Sequence, residues 1–223
     1  MTQSPYALVI FDCDGVLVDS ERITNRVFAT MLNEIGLSVT LEDMFDRFVG
    51  RSMEQCLDII AGLLGRHVPA GFVAEYRARS SAALLAEVKP VAGIEAVLDA
   101  LTLPFCVASN GTLEKMQTTL GITGLWPRFV GRVFSVDDVQ RGKPSPDLYL
   151  LAASRYGAEP ACCAVIEDTP TGVTAGVAAG MDVYGYCALT PCGRLMEAGA
   201  QHTFTRMQDL PGLLQQPRSR APA

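Results

Sequence analysis

The feature that most constrains this chain is a series of short, unbroken apolar runs separated by helical patterns. Ala7-Leu8-Val9-Ile10-Phe11 is the first. Phe105-Cys106-Val107-Ala108, Ala164-Val165-Ile166 and Val183-Tyr184-Gly185-Tyr186 follow, with a weaker run at Val133-Phe134-Ser135-Val136. A run with no polar alternation fits a strand buried on both faces. Apolar residues at helical spacing fill the stretches Ile94 to Leu101, Thr112 to Leu120, Asp147 to Tyr156 and Thr171 to Ala179. Strands alternating with helices predict βαβ units, and hence an α/β fold with a doubly wound parallel sheet.

One stretch breaks the alternation. From about Ser20 to about Val88 the spacing is helical throughout: Ile23, Val27, Met31 and Leu32 share one face, Met53, Leu57, Ile60 and Leu64 another, and Phe72, Tyr76 and Leu84 mark further helix. Structureless loops longer than about 15 residues are rare in compact domains, so this stretch is expected to be an inserted all-helical domain. The boundaries read as residues 1–18 and 90–223 for the discontinuous core and 19–89 for the insertion, with Lys89-Pro90-Val91-Ala92-Gly93 as the return hinge.

Composition excludes several classes. A hydrophobic fraction of 49% supports a packed core, and a net charge of -6 argues against a nucleic-acid partner. No apolar run is long enough to span a bilayer, so no membrane partner is expected. The seven cysteines are odd in number and contain no CxxC pair. A disulfide framework or a zinc site is therefore not expected, and a cytoplasmic setting is. With only His67 and His202 present, chemistry built on histidine has little to draw on. The chain is expected to act as a monomer or weak homodimer.

Chemistry-bearing residues follow the apolar runs, at the strand ends where open α/β sheets bind ligands. Asp12-Cys13-Asp14-Gly15 sets two carboxylates one residue apart. Their repulsion calls for a cation, and Mg2+, which favours carboxylate and phosphate oxygens, fits. An ordinary strand-ending Asx-Gly turn is the plainer account. Ser109-Asn110-Gly111 offers a hydroxyl and backbone N–H groups for a phosphoryl oxygen, or else is a simple Asn-Gly turn. Lys143, in a loop held stiff by Pro144 and Pro146, either neutralises a phosphate together with a carboxylate or is a solvated surface lysine. Asp168 can complete a metal site, with Glu167 as ligand or as the group that orients one, or the two acids simply favour a helix N-terminus.

Taken together and in order, these segments resemble the haloacid dehalogenase (HAD) superfamily, in its phosphatase and phosphomutase branch with a helical cap after the first strand. The resemblance rests on Asp12-Cys13-Asp14-Gly15-Val16-Leu17-Val18-Asp19-Ser20-Glu21, on Ser109-Asn110-Gly111, on Gly142-Lys143-Pro144-Ser145-Pro146-Asp147 and on Glu167-Asp168, and it spans roughly Ala7 to Gly185. It implies a Rossmann-like core and a phosphoric monoester hydrolase. Asp12 is then the nucleophile that carries an aspartyl-phosphate, and Asp14 is the acid and then the base. Ser109, Asn110, Gly111 and Lys143 hold the phosphoryl group, and Mg2+ sits among Asp12, Asp14, Asp168 and Glu167. It further implies that Arg51 in Gly50-Arg51-Ser52, with Ser20 and Glu21 at the first hinge, contacts the substrate, a small-molecule phosphate ester such as a sugar or sugar-acid phosphate. Arg51 reads nearly as well as an exposed arginine beginning a helix, and Ser20 and Glu21 as caps of the first inserted helix. The runner-up is a sugar phosphomutase similar to β-phosphoglucomutase, against which Thr24 stands where such enzymes carry a histidine. A dehalogenase lacks the second acid, Asp14, and a phosphonate hydrolase needs a lysine between Ser20 and Val88, where there is none. A non-catalytic binding protein on the same scaffold is the reading from a different class.

Overall fold

Strands that read as unbroken apolar runs need helices on both sides to bury them, and the sheet is built in that way. The computed structural model describes residues 4–40, 43–44, 47–48 and 53–216. β1 (Leu8–Phe11), β2 (Phe105–Ser109), β3 (Val133–Ser135), β4 (Cys163–Glu167), β5 (Asp182–Tyr186) and β6 (His202–Phe204) form one sheet in the order β3-β2-β1-β4-β5-β6. Every neighbouring pair is parallel. β1, β2 and β4 are buried at every position.

The register decides which side chains meet. Phe11 lies level with Val107 of β2 and Ile166 of β4. The residues that follow therefore leave the sheet together, and the Asp12 N–H donates to Ile166 O at 2.9 Å. Strand order reverses between β1 and β4, so their outgoing connections diverge and leave a crevice at that point.

The chain divides into two compact units, one running up to Val18 and resuming at Lys89, the other Asp19–Val88. Lys89 thus falls with the sheet, one residue earlier than the sequence suggests. In the helical unit, α1 (Glu21–Glu34), α2 (Met53–Leu64) and α3 (Phe72–Glu87) share a core of Phe28, Met31, Leu32, Met44, Cys56, Ile60 and Phe72. Phe28 is its centre, with the rings of Phe48, Phe72 and Tyr76 within 5.8 Å of its own. Arg26–Glu87 and Arg79–Glu34 pairs tie α1 to α3 along the rim.

In the sheet unit the connections are α4 (Ile94–Ala100), α5 (Leu113–Ile122), α6 (Trp126–Phe129), α7 (Asp147–Arg155), α8 (Pro170–Ala178), α9 (Cys192–Glu197) and α10 (Leu210–Leu213). One face of the sheet packs Leu8, Ile10, Cys106 and Val165 against Leu148, Tyr149, Ala152 and Val173. No described helix is long and apolar enough to cross a membrane.

Two features depart from the sequence reading. β6 lies at the sheet edge, with His202 and Thr203 half-exposed, and so presents no apolar run. Cys187 and Cys192 form a disulfide with their Cα atoms 5.3 Å apart. The turn from the end of β5 into α9 folds back on itself there, and the spacing of five residues gives no CxxC signal. The other five cysteines form no disulfide.

Candidate active site

β1 delivers Asp12 to the crevice and then turns sharply. Gly15 adopts φ +76°, its N–H donates to Val18 O, and the Leu17 N–H donates back to Cys13 O. This turn needs glycine for a second reason: a Cβ on Gly15 would fall 2.0 Å from Asp168 Oδ2. The first loop is therefore in direct contact with the acid that follows β4.

Asp12 is buried, and its Oδ1 accepts from Lys143 Nζ at 2.6 Å. The same ammonium donates to Glu167 Oε1 at 2.7 Å and lies 4.7 Å from the ring centroid of Tyr149. Lys143 is buried, so it is not a solvated surface lysine. Burial drives its pKa down, but the charges of Asp12 and Glu167 outweigh this and raise it, keeping it protonated. The Lys143 main chain is held as well. Asn110 Nδ2 donates to Lys143 O at 3.0 Å, and the Lys143 N–H donates to Asn110 Oδ1 at 2.8 Å. Both ends of the Asn110 amide thus fasten the loop after β2 to the loop carrying Lys143, which joins the next residue through a cis Lys143–Pro144 bond. Ser109, buried at the end of β2, accepts from the Gly111 N–H at 3.1 Å.

Glu167 and Asp168 end β4, both buried. Glu167 Oε1 takes Lys143 Nζ and the Tyr149 hydroxyl, the latter at 2.8 Å. Its Oε2 takes the Asp168 N–H, the Thr169 N–H and the Thr169 hydroxyl. Thr169 also caps α8 by accepting from the Gly172 N–H at 3.1 Å. Asp14 points to the other side, where its Oδ2 meets Lys115 Nζ at 2.6 Å. Burial lowers the Lys115 pKa, but the Asp14 charge dominates and pushes it up to about 12.

One oxygen each from Asp12, Glu167 and Asp168 lies within 4.8 Å of the others. Four carboxylates, counting Asp14, share two ammonium groups, and the imbalance is felt at Asp12. Burial, opposed by Lys143 and reinforced by Glu167 and Asp14, lifts its pKa to about 7. An all-oxygen, buried and over-acidic donor set fits a hard divalent cation and suits neither zinc nor copper.

Of the residues singled out from sequence, Asp12, Asp14, Ser109, Asn110, Gly111, Lys143, Glu167 and Asp168 gather at this one edge of the sheet. Ser20 and Glu21 begin α1 in the helical unit, with Ser20 O accepting from the Thr24 N–H and hydroxyl. Arg51, with Gly50 and Ser52, lies outside the described residues. Sequence reasoning missed Tyr149 and Lys115. Tyr149 reads as a core aromatic on α7. Lys115 carries one faint signal, a lysine in the first turn of a helix, where the dipole disfavours it.

A profile of the haloacid dehalogenase-like hydrolases matches residues 6–180. The 6-phosphogluconate phosphatase of Escherichia coli is 36% identical over 92% of this chain and 93% of its own length. A solved haloacid dehalogenase-like protein from Agrobacterium tumefaciens is 35% identical and superimposes with a TM-score of 0.90, covering 94% of this chain and 97% of that one. A HAD family hydrolase from Deinococcus radiodurans, solved with bound phosphate and sodium, is 32% identical with a TM-score of 0.82, covering 95% and 96%. With its four motif loops at the reversal of strand order and likenesses of this extent, the chain belongs to the haloacid dehalogenase-like hydrolases, as a phosphoric monoester hydrolase.

Proposed function

We propose that this enzyme is a Mg2+-dependent phosphatase that hydrolyses a sugar or sugar-acid phosphate by way of an aspartyl-phosphate on Asp12. The observation that carries the reading is the buried cluster in which Asp12, Lys143, Glu167 and Asp168 meet beside Asp14 and Ser109. A phosphatase relative named for 6-phosphogluconate and a related hydrolase structure holding phosphate support the substrate class.

Asp12, Asp168 and the backbone carbonyl of Asp14 are the groups that would hold Mg2+. Glu167 is better suited to orienting Lys143, since both of its oxygens already accept hydrogen bonds. When bound, the ion supplies positive charge that keeps Asp12 ionised and offsets charge on the transferring phosphoryl group. Asp12 attacks phosphorus in line, with its carboxylate angle set by the Lys143 ammonium on Oδ1. Lys143 and the Ser109 hydroxyl stabilise the equatorial oxygens, so that preorganised charge supplies much of the rate. Asp14 gives a proton to the leaving alcohol and then takes one from the water that cleaves the acyl-phosphate. Splitting the displacement in two lowers each barrier.

Transfer to a second sugar hydroxyl, as in a mutase, is disfavoured by Thr24, whose hydroxyl is bonded to Ser20 O and Glu21 O within its own helix. The test is phosphate release from a panel of phosphorylated sugars, sugar acids and polyols, with and without Mg2+, for the wild type and for Asp12→Asn. We expect turnover that requires the ion and falls at least a thousandfold in the variant while its melting transition persists. Activity of Asp12→Asn within tenfold of wild type would sink the mechanism.

A further inference from the structure

The mechanism above leaves one cation of the cluster without a task. Lys143 is buried, and its ammonium is committed to Asp12 and Glu167. Lys115 is different. Its side chain is 39% exposed, and Asp14 Oδ2 is its one hydrogen-bond partner among the described residues. An ammonium has three N–H donors, so two are left for a ligand.

Position tells which half of the ester these donors would face. Lys115 is in the first turn of α5, one turn after Ser109-Asn110-Gly111, and Thr112 caps that helix by accepting from the Lys115 N–H. A methyl placed on Gly111 would lie 3.5 Å from Ser109 Oγ, 3.6 Å from Lys115 Cδ and 3.8 Å from Asp14 Oδ2. The absent side chain thus leaves one small space bordered by a phosphoryl-binding hydroxyl, the acid that meets the leaving oxygen and the stem of Lys115. A leaving group seated on Asp14 has its next oxygens within reach of that ammonium. The Lys115–Asp14 pair is partly exposed on both sides, and such pairs add little to stability, so exchanging one carboxylate for another on the same ammonium costs little.

We propose that Lys115 is a specificity-determining residue that binds a carboxylate on the organic half of the phosphate ester, so that the enzyme favours sugar-acid phosphates over phosphates of neutral polyols. A cluster with more acids than lysines repels a second anionic group on the substrate unless a cation receives it, and among the described residues of the cluster Lys115 is the one with donors to give. The inference rests on the reading of Asp14 as the group that meets the leaving oxygen.

The test compares glycerate 2-phosphate with glycerol 2-phosphate, which differ only in a carboxylate for a hydroxymethyl group on the carbon that bears the ester oxygen, in wild type, Lys115→Gln and Lys115→Arg, all with excess Mg2+. Wild type should prefer the acid in kcat/KM by roughly ten- to a hundredfold, the range for a hydrogen bond to a charged group. Lys115→Gln should erase that preference, chiefly through KM for the acid, and Lys115→Arg should retain most of it. An equal fall on both substrates in Lys115→Gln, or a wild type that prefers the polyol, overturns the proposal and leaves Lys115 only as a support for Asp14. A measurement free of any variant checks the same point: gluconate should inhibit hydrolysis of p-nitrophenyl phosphate by wild type at concentrations at least tenfold below sorbitol, and equal inhibition counts against the assignment. Turnover of the aryl phosphate keeps the two readings apart. If it proceeds with Mg2+ while the acid-to-polyol ratio ignores Lys115, specificity alone is misassigned; if no ester is hydrolysed at all, both readings fall.

Discussion

Gly172→Ala isolates how tightly the acid pair after β4 is held. Gly172 is in the first turn of α8, a helix, where alanine is ordinarily better than glycine by about 1 kcal/mol. Here a Cβ would lie 1.7 Å from Glu167 Oε1 and 1.9 Å from its Cδ. The carboxylate has to move, and it is buried with two donors on Oε1 and three on Oε2. Hydrogen bonds to a charged group contribute about 1.5–3 kcal/mol each, and a buried charge left without its partner costs about 3–5 kcal/mol. Losing two of the five while α8 gains its alanine gives a net destabilisation of roughly 2–5 kcal/mol. At about 2–4 °C per kcal/mol for a chain of this size, melting falls by roughly 4–20 °C. Activity suffers separately, because Lys143 loses one of the two carboxylates that aim it at Asp12. A misplacement of about 1 Å costs on the order of a hundredfold in rate. The assay is a thermal melt paired with phosphate release at saturating Mg2+. Gly121→Ala serves as control: it too is helical, no atom lies within 4 Å of its Cβ, and it should match or slightly exceed wild type in stability. A Gly172→Ala protein that melts within a degree of wild type and turns over normally would refute the placement of the Glu167 carboxylate.

Two further outcomes follow from the same network. Tyr149→Phe keeps the ring beneath Lys143 and removes only the hydroxyl that donates to Glu167; kcat/KM should fall about tenfold with a small loss in melting temperature, and unaltered values for both would remove Tyr149 from the positioning network. Asp12, raised from an ordinary carboxylate to about 7 by burial, favours the protonated form in the metal-free fold, so its contribution to stability is full below about pH 4 and is lost as pH rises through about 7. Mg2+ needs the ionised form, so its affinity by calorimetry should climb by up to about tenfold per pH unit up to about 7 and then level. Affinity that is constant from pH 5.5 to 8 would contradict this.

The central strands were legible because burial on both faces leaves their residues no choice but apolar, and the clustering of the candidate site residues was legible because they follow those strands directly. Phe11 then Asp12, and Ile166 then Glu167-Asp168, are a single pattern read twice. β6 was not legible, since an edge strand with half-exposed His202 and Thr203 carries no such constraint. The Cys187–Cys192 bond depends on how one turn folds, which composition does not encode. Asn110 is read from sequence as a substrate contact, and the bonds of its amide to the Lys143 backbone are a tie that sequence does not announce. Lys115, apart from its odd place in a first helical turn, and Tyr149 were hidden for a related reason. Each acts through a carboxylate on another loop, and pairings of that kind exist only once β1, β2, β3 and β4 have set their loops side by side.

The adjacency of Glu167 and Asp168 has a structural logic that their shared charge obscures. Consecutive residues leaving a strand turn to opposite sides. Glu167 turns toward the loop after β3 and meets Lys143 and Tyr149, while Asp168 turns toward the loop after β1 and meets the Gly15 backbone. Each presses on a glycine that no larger residue could replace without displacing it, Gly172 for one and Gly15 for the other. One dipeptide therefore fixes two distances at once: that between Lys143 and Asp12, and that between the first loop and Asp168. Two acids of one sign at that corner would be costly in an ordinary fold. Here the first is neutralised from the protein side by Lys143, and the second joins Asp12 and Glu167 in a group whose oxygens lie within 4.8 Å of one another, a donor set that a hard cation fits.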